Sequence, residues 1–310
     1  MSQQAVPIYP RQNSVLVRSS EFDAFIGNAM TTRGYFTITS HDISHELIQR
    51  AFALATHFFN SSESNKCACI NPDSKGLTGY MKMKSDAKLN LEPLELWQFR
   101  QTPGGVSSSG DFYPDNKWPD YIQGFQSVML ELGDHLFKIA NLVLEACAAS
   151  LRLPEDCLTQ VIERGWSTLR LLKYPKMPAT ALSGSVRNQA HMDISLLTFL
   201  FGGTAEGLQV QGLDGEWIPI PAQSDDIIVV GGEMLRNISN GRLKSALHRI
   251  LYPKEGEGNR ITIPYFVLPR PSVSLAPLEC FRNGEQPLFP EISAVKYLSQ
   301  RLGVGMDETA

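Results

Sequence analysis

Apolar positions in the first third of the chain fall into two short β-like runs and two helical ones. Residues 6–10 read as a short extended segment, and residues 20–31 carry helical spacing. Residues 34–39, Gly-Tyr-Phe-Thr-Ile-Thr, alternate and are rich in β-formers. Residues 43–60 form an amphipathic helix with Leu47, Ala51, Leu54, Ala55 and Phe58 on one face. Residues 61–119 are then irregular, rich in Ser, Gly, Pro, Asn and Lys. A loop that long is functional or mobile in a compact chain, and the expectation is a lid over the mouth of the core. Residues 121–150 place Phe125, Met129, Leu132, Leu136, Ile139 and Val143 at helical spacing, the strongest helix signal in the chain.

Past Trp166 the pattern changes to short apolar or alternating runs set apart by turn residues. The runs cover 168–174, 191–201, 208–211, 216–219, 226–230, 247–251 and 260–268. Asn240-Gly241 between two apolar runs predicts a hairpin, because both residues accept positive φ. Many short strands with turn punctuation predict a sandwich or double-sheet barrel. Residues 290–302 turn helical again. The predicted class is mainly β with flanking helices: helices and a loop-rich cap in front of an antiparallel core.

Composition narrows the function. With 310 residues and 43% hydrophobic, the chain can bury a sizeable core. Lys plus Arg is 28 against Asp plus Glu at 32, a net charge of −4, so no basic surplus exists to follow a phosphate backbone. The longest apolar runs, 226–232 and 195–202, fall far short of the ~20 residues that a membrane helix needs. The N-terminus lacks the basic and apolar regions of a signal peptide. Five cysteines are too few and too scattered for a disulfide scaffold. The expectation is a soluble, cytoplasmic protein with neither a nucleic-acid nor a membrane partner.

The chemistry concentrates in His191-Met-Asp193 and, 55 residues on, His248. Residues two apart on a strand share a face, so His191 and Asp193 can both point inward. Joined by His248 from a facing strand, they make two imidazoles and one carboxylate on one face of an octahedral ion. Three positions stay open, as in non-haem Fe(II) oxygenases; zinc and chance also fit the bare pattern. Arg260-Ile-Thr262 follows on a predicted strand, with guanidinium and hydroxyl on one face, suited to hold a carboxylate in a fork. A metal with open positions beside a carboxylate clamp implies a small acidic cosubstrate.

These residues, and the text around them, resemble the isopenicillin N synthase-like branch of the 2-oxoglutarate/Fe(II)-dependent dioxygenases. The resemblance runs through Gly34-Tyr-Phe with Ser40-His41, Phe58-Phe59 with Lys66, Gly79-Tyr80, and Asn116-Lys-Trp-Pro119. It continues through Arg170-Leu-Leu-Lys-Tyr-Pro175, His191-Met-Asp193, Leu197-Thr198, Gly207-Leu-Gln-Val-Gln211 and Trp217-Ile-Pro-Ile-Pro221. It ends with Ser239-Asn-Gly-Arg-Leu-Lys-Ser245, His248-Arg249, Arg260-Ile-Thr-Ile and the Tyr297-Leu helix. The resemblance implies a double-stranded β-helix (jelly-roll) core with an N-terminal α/β region. By extension it divides the chain into an N-terminal dioxygenase region with its long loop (1–119) and connecting helices (120–165). The Fe(II)/2-oxoglutarate β-core (166–270) and a C-terminal tail and helix (271–310) follow.

The resemblance makes His191, Asp193 and His248 the iron ligands. It gives Arg260 the distal carboxylate of 2-oxoglutarate, with Thr262 and Tyr174 hydrogen-bonding the cosubstrate. Leu172 stands where relatives often have Asn, and Val230 replaces an Asn before Gly232-Glu233, which relatives have as Gly-Asp. For the substrate it nominates Trp97, Phe99, Arg100, Arg187, Phe201 and Phe281. Arg187 could meet an anionic substrate group or be a surface arginine in a polar loop. His41 and His45 lack the Glu of the helical zinc motif and read as structural, as do His57, His135 and Cys67-Ala-Cys69. Residues 202–207 read as a turn between strands.

The implied activity is oxidation of an unactivated C–H bond of a small molecule by Fe(II), 2-oxoglutarate and O2, through hydroxylation, desaturation or oxidative cyclisation in specialised metabolism. Two alternatives remain. One is an isopenicillin N synthase-like oxidase that consumes no 2-oxoglutarate and uses the clamp for its substrate. The other is a non-catalytic binding protein on the same fold. The sequence leaves the oligomeric state open.

Overall fold

A computed structural model describes residues 6–9, 16–39, 41–74, 76–83, 94–101, 115–176, 185–220, 225–252, 258–282 and 284–303. Pro10, Ser40, Pro221 and, within the expected loop, residues 84–93 and 102–114 lie outside these.

The N-terminal region contains strands β1 (Ile8–Tyr9), β2 (Tyr35–Ile38), β3 (Gly79–Met83) and β4 (Leu94–Arg100). Its helices are α1 (Ser20–Thr32), α2 (His45–Asn60) and α3 (Glu63–Cys67). Helices α4 (Phe125–Ser150) and α5 (Thr159–Ile162) connect it to the core strands. These are β5 (Thr168–Tyr174), β6 (Val186–His191), β7 (Leu197–Phe201), β8 (Leu208–Gln211), β9 (Trp217–Pro219) and β10 (Ile227–Gly231), then β11 (His248–Leu251), β12 (Arg260–Thr262) and β13 (Pro264–Val267). Helix α6 (Glu233–Ile238) interrupts the strands, and α7 (Glu279–Arg282) and α8 (Ala294–Leu302) close the chain.

The strands form two sheets. The larger runs β1-β2-β10-β7-β13-β5-β4-β3 with β12 also paired to β5, and the smaller runs β6-β11-β8-β9. Side-chain alternation sorts the large sheet into two faces. Leu169 and Leu171 of β5, Trp97 and Phe99 of β4, and Ile227 and Val229 of β10 join the main core under α1, α2 and α4. On the other face Tyr174, Leu172, Ile228 and Val230 meet Leu208, Val210 and Ile250 of the small sheet. A double-sheet jelly roll with helices packed on one outer face results. The amphipathic patterns explain the helices: Phe125, Met129, Leu132, Leu136, Ile139 and Val143 of α4 are all buried. Ser19, Ser44 and Ser293 cap α1, α2 and α8 by accepting from backbone N–H groups.

Three expectations change. Residues 61–119 are not one irregular loop: α3 and the β3–β4 hairpin lie within them, and β4 pairs with β5 from Glu95 to Arg100. The run 191–201 is two strands, β6 ending at His191 and β7 beginning at Leu197, separated by a turn. Asn240 and Gly241 do take positive φ, at 51° and 78°. They turn the chain after helix α6, however, rather than joining two strands. Residues 233–238 wind helically, and their first N–H groups find acceptors in the 193–195 turn: Glu233 N–H donates to Asp193 O and Met234 N–H to Ser195 O.

A buried charge cluster fastens β4 to the rest. Lys66, only 5% exposed, donates to Glu95 at 2.5 Å, the Tyr80 hydroxyl donates to the same oxygen at 2.7 Å, and Lys173 reaches Glu95 at 3.3 Å. Burial opposes the Glu95 charge, yet these donors hold its carboxyl below the usual range.

Candidate metal centre

The two histidines meet because β6 and β11 pair antiparallel with His248 directly opposite His191. Side chains directly opposite on one face of such a pair lie close together, and the two imidazole centroids are 4.3 Å apart. The chain leaves β6 after His191, and the turn that follows brings in Asp193. Its Oδ1 lies 3.7 Å from His191 Nε2 and its Oδ2 3.8 Å from His248 Nε2.

Each ring has its other nitrogen engaged. His191 Nδ1 lies 2.8 Å from the Gln189 carbonyl and His248 Nδ1 lies 3.3 Å from the Ala246 carbonyl. A carbonyl only accepts, so Nδ1 carries the proton and the Nε2 lone pair faces inward. Burial pushes the His248 imidazolium down, partly offset by Asp193, which keeps that lone pair free. Asp193 Oδ2 is buried with no hydrogen-bond partner. Two lone-pair donors and an orphaned carboxylate oxygen converge, an arrangement that a cation satisfies. The 3.7 and 3.8 Å separations are shorter than twice a metal–ligand bond of about 2.1 Å, so one ion spans them. The donor set suits Fe(II). Among the described residues this is the only His/Cys/Asp/Glu group that converges in this way.

The centre opens into a cavity of about 600 Å³ between the sheets. Arg260, Thr262 and Tyr174 line one end, where β12 pairs with β5 in the register Arg260 to Tyr174 and Thr262 to Leu172. Arg260 is 2% exposed. Its Nε donates to the Ala205 carbonyl at 3.0 Å, its Nη2 reaches the Gly202 carbonyl at 3.4 Å, and its guanidinium lies 5.9 Å from the Tyr174 ring centroid. The 202–207 segment is thus more than a turn: its carbonyls aim the guanidinium. Gly203, at φ 80°, leaves room for it, since a Cβ there would lie 3.0 Å from Arg260 Nη2. The Tyr174 phenol is pushed up by burial, against the pull of Arg260, and so stays a neutral donor beside Asn188.

The six residues nominated for substrate contact divide. Arg100 lines the cavity and stacks 3.9 Å over the Trp166 ring. Trp97 and Phe99, one residue out of phase on β4, face the opposite way into the cluster of Phe58, Trp118 and Phe125. Phe201 packs on Phe52, and Phe281 is fully buried in the main core. Arg187 is neither on the surface nor at the cavity. It is 2% exposed, donates to the Pro175 carbonyl at 2.5 Å, and stacks on Tyr252 and Tyr174 from behind. The cavity wall uses their strand neighbours instead: Leu96 and Gln98 of β4, Arg170 and Leu172 of β5, with Leu298 and Arg301 of α8. Alternation from Tyr174 back along β5 points to Leu172 and Arg170; for α8 the family resemblance points to the C-terminal tail as a whole, and no periodicity singles out Leu298 or Arg301.

A jelly roll with two histidines and one carboxylate at the mouth of a cavity, next to a buried arginine, defines a metal-dependent oxygenase of the facial-triad class. Comparison with known proteins gives the family. The model of the 2OG-Fe(II) oxygenase superfamily matches residues 165–269, and that of the non-haem dioxygenase N-terminal region found in morphine synthesis matches 13–121. The 2-oxoglutarate-Fe(II) type oxidoreductase ppzD of Metarhizium rileyi is 26% identical, over 89% of this chain and 83% of its own. The 2-oxoglutarate-dependent dioxygenase ecdK of Aspergillus rugulosus is 24% identical, over 93% and 95%. A crystal structure of a 2OG-Fe(II) oxygenase family protein from Caulobacter crescentus superposes with a TM-score of 0.81 at 28% identity, covering 91% of this chain and 94% of that one. The chain belongs to the 2OG-Fe(II) oxygenase superfamily. It is a 2-oxoglutarate-dependent dioxygenase that uses Fe(II) and 2-oxoglutarate. No helix among the described residues is long and apolar enough to cross a membrane.

Proposed function

We propose that His191, Asp193 and His248 hold Fe(II), that Arg260 and Thr262 hold the distal carboxylate of 2-oxoglutarate with Tyr174 alongside, and that the chain oxidises a C–H bond of a small molecule bound in the same cavity. The observation that carries this reading is the orphaned, buried Asp193 Oδ2 between two imidazoles whose Nε2 atoms face it. The bound iron and cosubstrate supply the oxidising chemistry. The chain's own residues position and exclude. Arg260 and Thr262 neutralise a buried carboxylate. Apolar side chains such as Leu96, Leu172, Phe266 and Leu298 keep water from the reacting bond. The outcome at the substrate is hydroxylation, desaturation or ring closure, in specialised metabolism in the cytoplasm. Screening small molecules for substrate-dependent succinate release tests it. Oxidised product and succinate in equal amounts support the reading; product formed without 2-oxoglutarate and without succinate overturns it.

A further inference from the structure

The cavity is strongly one-signed. Among the described residues its wall carries Arg100, Arg170, Arg260 and Arg301 against a single carboxylate, Asp193, which the metal reading already uses. Arg301 is paired with Glu233 at 3.1 Å, and Arg260 belongs to the cosubstrate end. Arg170 is different. It sits mid-strand on β5, opposite Gln98 of β4 and four residues from Tyr174 on the same strand face. At about 3.3 Å per residue that places it roughly 13 Å along the strand from the cosubstrate end. Its Nε donates to Gln98 Oε1 at 2.6 Å, and the Gln98 amide is itself fixed by donating to the Gly76 carbonyl at 2.7 Å. Its guanidinium lies 4.9 Å from the Phe266 ring centroid. Among the described residues no carboxylate pairs with it, and neither Nη makes a hydrogen bond. Burial draws the Arg170 guanidinium down, with Asp193 and Tyr174 opposing; arginine nonetheless stays charged in proteins. A cation held rigidly by its Nε, with its Nη edge unengaged in an apolar chamber, is costly unless a counter-ion comes with the ligand.

We propose that Arg170, oriented by Gln98, anchors a carboxylate on the substrate, so that the enzyme takes amphipathic monocarboxylic acids with an apolar body. The inference rests on the reading of this cavity as the substrate chamber of the oxygenase. The acid's head group meets the Nη edge in a fork. Its body then lies among Leu96, Leu172, Phe266 and Leu298, and the two ends of the chamber hold two different carboxylates, cosubstrate at Arg260 and substrate at Arg170.

The test is calorimetric binding to the anaerobic Fe(II) protein saturated with 2-oxoglutarate, so that probes cannot occupy the cosubstrate end. The probes are octanoate, 3-phenylpropanoate and 2-naphthoate, each beside its primary amide. At least one acid should bind about ten- to a hundredfold tighter than its amide. Arg170→Met should abolish that preference, Arg170→Lys should keep part of it, and Gln98→Leu should weaken it without removing it. The affinity for 2-oxoglutarate should change less than about threefold in every variant. The Lys and Leu variants keep the test decisive if Arg170→Met does not fold. If no acid outbinds its amide in the wild type, or the preference survives in Arg170→Met, the proposal is wrong. An Arg170-dependent acid preference in a protein that shows no 2-oxoglutarate binding would leave the anchor standing and overturn the oxygenase reading instead.

Discussion

Replacing Gly232 with alanine probes how the fold sets the metal centre. Gly232 follows β10 and precedes α6, and its N–H donates to the Leu196 carbonyl at 2.9 Å. Its φ of −101° and ψ of 176° suit any residue, so backbone strain plays no part. Space does. A Cβ there would lie 2.0 Å from Ser195 O, 2.7 Å from Ser195 C and 2.9 Å from Asp193 O. Reaching ordinary contact requires the 193–195 turn to withdraw by about 1.4 Å. That turn also accepts the Glu233 and Met234 N–H groups, so the shift propagates to the carboxylate of Asp193. Overpacking of this kind costs about 1–3 kcal/mol, which lowers Tm by roughly 2–6 °C for a chain this long. Displacing a ligand's support lowers metal affinity by about 10–100-fold, and a misplacement near 1 Å can cost on the order of 100-fold in rate. Calorimetric unfolding and anaerobic Fe(II) titration read both effects. Gly258→Ala is the control: nothing lies within 4 Å of a Cβ there, and its stability should stay within about 0.5 kcal/mol of wild type. A Gly232→Ala protein with wild-type iron affinity and Tm would show that the 193–195 turn yields without disturbing Asp193.

Other outcomes follow from the same geometry. Arg260→Ala should weaken 2-oxoglutarate binding by about 100–1000-fold, from a cost of roughly 3–5 kcal/mol for a broken buried pair, with Lys rescuing only part; an unchanged dissociation constant would remove Arg260 from the clamp. Thr262→Val should cost less, about 1–3 kcal/mol, by the same titration. Glu95→Gln should destabilise the fold by roughly 3 kcal/mol at neutral pH. Because the folded Glu95 pKa is depressed, its stabilisation is complete above about pH 4.3 and fades as pH falls through the folded value. Urea unfolding at neutral and acidic pH should therefore show the wild-type advantage shrinking in acid, and a constant difference would argue against an ionised Glu95. Glu233→Ala removes the acceptor of the Tyr297 hydroxyl at 2.9 Å and the partner of Arg301; amide exchange across residues 294–302 should quicken, and equal protection would mean that α8 is held by its apolar face alone.

Much of this was legible in the sequence, for reasons that particular residues show. The α4 stripe and the β-core strands read correctly because their burial follows the period of a single element. His248 and His191 could be paired on paper because two strands carrying inward imidazoles have few registers available. The β4 strand escaped notice because Leu94-Glu-Leu-Trp-Gln-Phe-Arg100 sits in a stretch dominated by turn formers. The choice of Trp97 and Phe99 for the pocket favoured aromatic size over phase: on β4 the aromatic positions face the main core, and Leu96, Gln98 and Arg100 face the cavity. Asn240-Gly241 announced positive φ correctly, but turn chemistry cannot tell what precedes the turn, and here α6 does. Arg187 illustrates a further limit. Its burial behind Tyr174 depends on Tyr252, 65 residues away in the chain, a contact that no local pattern encodes.

The proposed function depends on one Fe(II), held by His191, Asp193 and His248, sitting beside 2-oxoglutarate held by Arg260. Anaerobic titration of the metal-free protein with Fe(II) and then 2-oxoglutarate, followed by the metal-to-ligand charge-transfer absorption, tests it most directly. The band should saturate at one iron per chain, require 2-oxoglutarate, and disappear in His248→Ala and Asp193→Ala while their far-ultraviolet circular dichroism stays that of the wild type. A folded wild-type protein that binds neither component, or a band that persists in those variants, would contradict it.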